Sequence, residues 1–499
     1  MPAKKTRRSA ALALALLMAA AVPVRATTPP TFTVVDSIRP GSDSSFGLNW
    51  SDSDVIGDYL YFAADDGTSG SELWRTNGTS TTLVKDINAG PGTGSPGDLT
   101  TFGDHLYFRA DDGVTGYELW RTDGTAAGTT LVKDIDAVGS GNPGTFTPYG
   151  PHLYFTADDG TNGTELWRTD GTTAGTTLVK NINVGGSSNI SNFKVYGAYL
   201  YFQAEDDTNG AELWRTDGTT AGTTLVKNIS AGGSSSPGFF TAYGAYLYFQ
   251  ADDGINGAEL WRTDGTAAGT TLVKDINVGG NGSAGDLTTF GDHLYFRADD
   301  GVTGYELWRT DGTAAGTTLV KDINVGGSGD MLYPTTLGAY LYFNAIDSTT
   351  GYELWRTDGT TAGTSRIEDI NVGPGDSFPW NFTTLGDYLY FVAGDGTSTG
   401  VYRTNGTVTE RVPFPINSDQ SIVCMCVPLT TLGGRLFSSV YSEATGSEFA
   451  YLDEPTYVLP ETNRAAGTSS AWTVALSTLA LITLAVGAGL RRRSGAAQR

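Results

Sequence analysis

The sequence Glu-Leu-Trp-Arg-Thr returns along this chain with its tryptophan at Trp74, Trp120, Trp167, Trp214, Trp261, Trp308 and Trp355, in one step of 46 residues and then steps of 47. Tyr402 continues the register. A fixed period of this size marks stacked supersecondary units, and ~40–50 residues is the length of a four-stranded propeller blade. Solenoids of paired helices have similar periods, but each unit here is rich in Gly, Thr, Asp and aromatics and lacks helical apolar spacing. The expected fold class is therefore all-β, a β-propeller of four-stranded blades.

One unit, starting at Asp98, divides at its turn residues into four strands. These are Leu99–Phe102, His105–Ala110, Glu118–Thr122 and Thr130–Ile135, separated by Gly103-Asp104, Asp111-Asp112-Gly113 and Asp123-Gly124. Asp and Gly suit such turns because both tolerate left-handed backbone angles. Side chains alternate along a strand, so Glu118, Trp120 and Thr122 share one face while Leu119 and Arg121 share the other. A tryptophan at one fixed strand position per blade reads as core, and each buried indole contributes on the order of a few kcal/mol.

The pieces that would close a ring are visible at the ends of the array. Thr33-Val34-Val35-Asp36-Ser37-Ile38 aligns without gaps on Thr130–Ile135, which makes it an orphan fourth strand. Thr431–Phe437 and Gly446–Phe449 match the first three strands of a ninth unit, in which Ala450 holds the tryptophan position. An N-terminal strand that completes the last blade would leave no sheet edge exposed. The count is eight clear repeats plus a degenerate ninth. Because propellers typically carry ~4–8 blades, eight blades with a membrane-proximal cap at Leu429–Leu459 is the alternative.

The two ends predict export and anchoring. Lys4, Lys5, Arg7 and Arg8 precede the apolar run Ala10–Val22 and the small-residue pattern Val24-Arg25-Ala26, the layout of a signal peptide over 1–26. The propeller domain is expected over 27–458 and a linker over 459–470. Ala471–Leu490 has about the ~20 apolar residues that a membrane-spanning helix needs, and Arg491-Arg492-Arg493 opens a basic cytoplasmic tail over 491–499. This end is similar to the tripartite C-terminal sorting signals of exported bacterial proteins, which leaves permanent anchorage and processing at the cell surface both open. A net charge of −23 repels a phosphate backbone, so nucleic acid is not an expected partner.

Glu-Leu-Trp-Arg-Thr-Asp-Gly-Thr, followed by Ala-Gly-Thr and Leu-Val-Lys-Asp-Ile, resembles the bacterial ELWxxDGT repeat proteins over nearly all of residues 50–410. That resemblance implies an extracellular repeat protein with propeller-like blades and no general catalytic assignment. The chain departs from the pattern at Gly400-Val401-Tyr402. Residues 98–135 and 286–323 are identical, so the repeats were copied recently, and agreement among them partly records ancestry.

Chemistry is sparse. His105, His152 and His293 are the only histidines and share one repeat position, whereas a ligand cluster or a Ser-His-Asp triad needs different positions converging on one point. No Gly-Lys-Ser/Thr or His-Glu-x-x-His motif is present. Cys424 and Cys426 stand two apart, at the limit of disulfide reach in an extended strand. The loops between strands two and three carry Asp66, Asp112, Asp159, Asp206, Asp253, Asp300, Asp347 and Asp395, one per unit, on the same rim as the Gly-rich links between blades. Ca²⁺, which takes ~6–8 oxygen ligands, is the candidate ion for such a ring; the alternative use of the same aspartates is as Asx-turn caps. No catalytic residue and no other cofactor is expected. The expectation is a monomeric, non-catalytic surface protein binding an extracellular glycan or protein, with a secreted carbohydrate lyase or hydrolase, or a purely structural surface layer, as rivals.

Overall fold

The computed structural model describes residues 32–34, 38–39, 53–413, 429–442 and 446–453. The signal sequence, the C-terminal apolar segment and Cys424 and Cys426 lie outside them. Among the described residues the strands form nine separate four-stranded antiparallel sheets, and no helix long and apolar enough to cross a membrane occurs.

The second blade shows how sequence becomes strand. Its strands are Gly97–Phe102, His105–Asp111, Tyr117–Thr122 and Thr130–Lys133, paired in that order. The outer strand stops at Lys133, two residues short of expectation, because the Ile135 N–H is donated to the Glu118 carboxylate (2.7 Å). The inner strand begins two residues early, with a bulge between Gly97 and Thr100.

Nine blades form, not eight with a cap. Thr430–Leu432, Arg435–Ser442 and Gly446–Asp453 build the last sheet, and Thr33–Val34 adds its fourth strand through Thr33↔Tyr451 and Val34↔Ala450. Ala450 fits because Phe32, 1% exposed, packs into the cluster that includes Leu436, Ala450 and Leu452. Only Thr33–Val34 of the expected orphan strand pairs; 35–37 lie outside the described residues.

The core is not central. It consists of nine apolar clusters, one at each interface between successive blades. Trp120 packs against Tyr61, Leu73, Val84 and Ile87 of the preceding blade. The cluster of Ile38, Leu60, Phe62, Ala64 and Phe437 joins blade nine to blade one and closes the ring.

The repeat motif is an interface device. Arg121 Nη1 donates to the Gly171 carbonyl of the next blade (2.9 Å) and Lys133 Nζ to its Thr176 carbonyl (2.9 Å), with the ammonium 5.5 Å from the Trp167 ring centroid. The same two bonds recur around the ring, as in Arg215 to Gly265 and Lys227 to Thr270. Gly171 is required on two counts. Its φ is +92°, and a Cβ there would come within 2.3 Å of the Tyr107 hydroxyl. Blade eight replaces tryptophan with Tyr402, stacked on Phe391, and its buried Arg403 turns to Glu410 instead (Nε to Oε1 2.9 Å).

Candidate functional site: the rim and the channel wall

Two surfaces could meet a ligand: the rim that carries the loops between strands two and three, and the wall of the central channel. Those loops and the links between blades share a rim, since Tyr117 N–H donates to Ser140 Oγ (3.1 Å) and Asn142 N–H to the Tyr117 carbonyl (3.0 Å).

Each of the eight expected rim aspartates sits at a loop entrance. Asp112 Oδ1 accepts from the N–H groups of Val114 (2.9 Å) and Thr115 (2.8 Å) and from Thr115 Oγ1 (3.0 Å). Asp66, Asp159, Asp206, Asp253, Asp300, Asp347 and Asp395 make the same turn. These are Asx-turns that hold the loop. Burial pushes the Asp112 carboxyl up, but bonds from Thr115 and Val114 outweigh it and hold it below the ordinary value. Asp395 accepts from Thr397 and also pairs with Arg411 (3.1 Å), and is held at about 2. Among the described residues no group of three or more His, Cys, Asp or Glu is placed to hold a metal.

Beside these caps stands something that sequence reasoning missed. Val114, Ile255 and Val302 at the loop tips, and Val138, Val184, Val278, Val325 and Val372 in the links, are 79–99% exposed. One exposed valine needs no explanation; a belt of them on one rim is an interaction surface in form.

Under the rim lies the glutamate of the motif. Glu118 is fully buried and accepts from the N–H groups of Ile135 (2.7 Å), Asp136 (3.4 Å) and Gly141 (2.6 Å), which fastens the link between blades two and three. Glu72, Glu165, Glu212, Glu259, Glu306 and Glu353 hold the links that follow blades one and three to seven. Burial pushes the carboxyls of Glu72, Glu118 and Glu306 up to about 7 and that of Glu259 to about 6, against the pull of the N–H bonds. The tryptophans lie in the clusters between blades, with Trp120, Trp167, Trp214, Trp261, Trp308 and Trp355 buried and Trp74 partly so. His105, His152 and His293 start second strands beside Tyr107, Tyr154 and Tyr295 and do not converge.

The channel wall is built by the inner strands, whose second edge pairs with no strand and which touch one another from blade to blade. The second residue of this strand is left-handed in blades two to eight: Asp98, Thr145, Asn192, Phe239, Asp286, Tyr333 and Asn381, all with φ between +53° and +60°. Here the copied repeats stop agreeing. Asp and Asn suit that angle; a bulky or branched side chain at φ > 0 is an outlier. On the arc from blade six to blade eight, Arg297 lies between Asp286 (3.7 Å) and Asp330 (3.6 Å), and Tyr352 donates its hydroxyl to Asp330 Oδ2 (2.8 Å) while its ring stacks on Phe378 at 4.4 Å. Burial raises the Asp286 carboxyl despite Arg297. The signal was present in the sequence, as a position that varies while its neighbours are duplicated.

Fold and rim together define a nine-bladed, four-stranded β-propeller closed by its N-terminal strand. No family model matches the chain, and no curated protein matches it. Solved structures similar to it include a puromycin hydrolase (14% identity, TM-score 0.39, covering 74% of this chain and 62% of that one). A Mycobacterium tuberculosis puromycin-hydrolyzing peptidase (13%, 0.37, 75% and 62%) and a structure from a study of two prolyl endopeptidases (14%, 0.39, 80% and 53%) are also similar. The chain thus spans less than two thirds of the length of each.

Proposed function

We propose that this chain is an exported, non-catalytic surface protein of the ELWxxDGT type, held at the envelope by residues 471–490, whose propeller binds an extracellular glycan or protein. The observation that carries this reading is the rim, where aliphatic tips 79–99% exposed stand among eight Asx-turn loops with ionised carboxylates. Apolar tips supply contact area, and the carboxylates supply selectivity for neutral or basic partners.

The test is an array of glycans and extracellular proteins probed with the full-length chain in detergent. Saturable binding that weakens when Val138, Val184 and Val278 are changed together to serine supports the reading. An array without a hit leaves the structural-layer rival. Ca²⁺ is not required: heat on calcium titration adds the ion to the rim, and a flat titration removes it.

The enzyme rival draws on one observation, the uneven channel arc around Asp286, Arg297 and Asp330. Release of reducing ends from a polysaccharide by the purified chain would replace the binding reading with that one.

A further inference from the structure

We propose that the channel wall from blade four to blade seven is a subsite for a neutral oligosaccharide, with Phe239 and Tyr333 as stacking platforms. The inference rests on the binding reading above and adds to it a place and a ligand chemistry.

The argument starts from backbone strain. Phe239 (φ +59°) and Tyr333 (φ +56°) occupy the left-handed position that Asn192 and Asn381 fill in blades four and eight. A bulky residue there is strained where asparagine largely is not. Packing does not offset that strain, because Phe239 and Tyr333 remain 49% and 52% exposed. The chain therefore holds two aromatic faces at strained positions on the channel wall and leaves them half in water.

Their surroundings select the ligand. Phe239 borders a cavity of about 330 Å³ that is also lined by Asn192, Lys194 and Asp286. Further along the arc stand the Asp286–Arg297–Asp330 series and the Tyr352 hydroxyl. Flat apolar faces next to amide, carboxylate and guanidinium groups match a molecule with apolar ring faces and hydroxyl edges, which is a sugar. The overall charge of −23 disfavours polyanions. A lipid would meet polar groups at each step of the wall. A peptide added as a strand would need an unbroken edge, and the inner edge is interrupted by bulges such as that between Gly238 and Thr241.

The test uses full-length protein in detergent with cellohexaose, xylohexaose, mannohexaose and chitohexaose as probes, and polygalacturonate as the charged control, read by calorimetric titration. The variants are Phe239→Asn and Tyr333→Asn, residues that the fold itself uses at this position, so the ring should form and melt at or above the parent temperature. The expected result is that at least one hexasaccharide binds and that each variant weakens it tenfold or more. A hexasaccharide bound equally by parent and variants overturns the subsite. A chain that binds only polygalacturonate or proteins on the array overturns the ligand class while the binding reading stands, and one that binds nothing overturns both.

Discussion

Replacing Glu118 with alanine should loosen one specific link. Its carboxylate accepts from three N–H groups, at 2.7 and 2.6 Å from Ile135 and Gly141 and at 3.4 Å from Asp136, in a place closed to solvent. Leaving a buried donor unpaired costs about 1–3 kcal/mol. The long third bond counts for little, so two donors set the scale. Water entering the vacated space lowers the penalty, and about 2–4 kcal/mol is expected for Glu118→Ala. Glu118→Gln keeps one acceptor oxygen and orphans one side only, for about half that loss at pH 5, where the carboxyl is the neutral acid. Urea melts give the totals, and hydrogen exchange gives the location: the amides of Ile135 and Gly141 should exchange faster in Glu118→Ala while those of Leu106 and Phe108 change little. An alanine variant within about 0.5 kcal/mol of the parent, or faster exchange across the whole blade with none concentrated at the link, would refute the role given to this glutamate.

Stability should fall as pH rises from about 4.5 to 8. Glu72, Glu118 and Glu306 have folded values of about 7, above the unfolded value near 4.5, so the folded state binds more protons between them. Their contribution is full below the unfolded value and is lost as pH passes through about 7, with a ceiling of about 3 kcal/mol each. Asp395, held at about 2, works in the opposite sense, present above its unfolded value near 3.8 and lost as pH falls through about 2. Thermal melts from about pH 2 to pH 8 check both limbs, and a melting temperature that climbs steadily from pH 5 to pH 8 contradicts the first. Gly171→Ala should destabilise by about 2 kcal/mol or more, since it combines φ +92° with contact to the Tyr107 hydroxyl; a neutral urea midpoint would dismiss that close approach as a constraint.

The blade, its four strands and the ring closure could be read from the sequence because each rests on local chemistry that repeats: Asp-Gly turns, aromatic strands, and an N-terminal segment that copies an outer strand. The end of the outer strand could not. It depends on Glu118 reaching 17 residues along the chain to Ile135, a contact that no window of periodicity contains. The rim aspartates were found by their recurrence, but a carboxylate capping a turn and one awaiting an ion carry the same sequence signal; the N–H groups that make Asp112 a cap appear only in the structure. Phe239 and Tyr333 went unnoticed because attention to what repeats passes over what differs, and their left-handed backbone is set by a bulge rather than by their own preference.

A top-view electron micrograph average of the purified chain tests the architecture most directly, since the channel, rim and interface assignments all depend on nine wedges meeting in a circle. Nine spokes without a break, the ninth in register between the eighth and the first, is the predicted image. Eight spokes with a separate knob, or a ring with a gap where Thr33–Val34 should bind Gly446–Asp453, would contradict it.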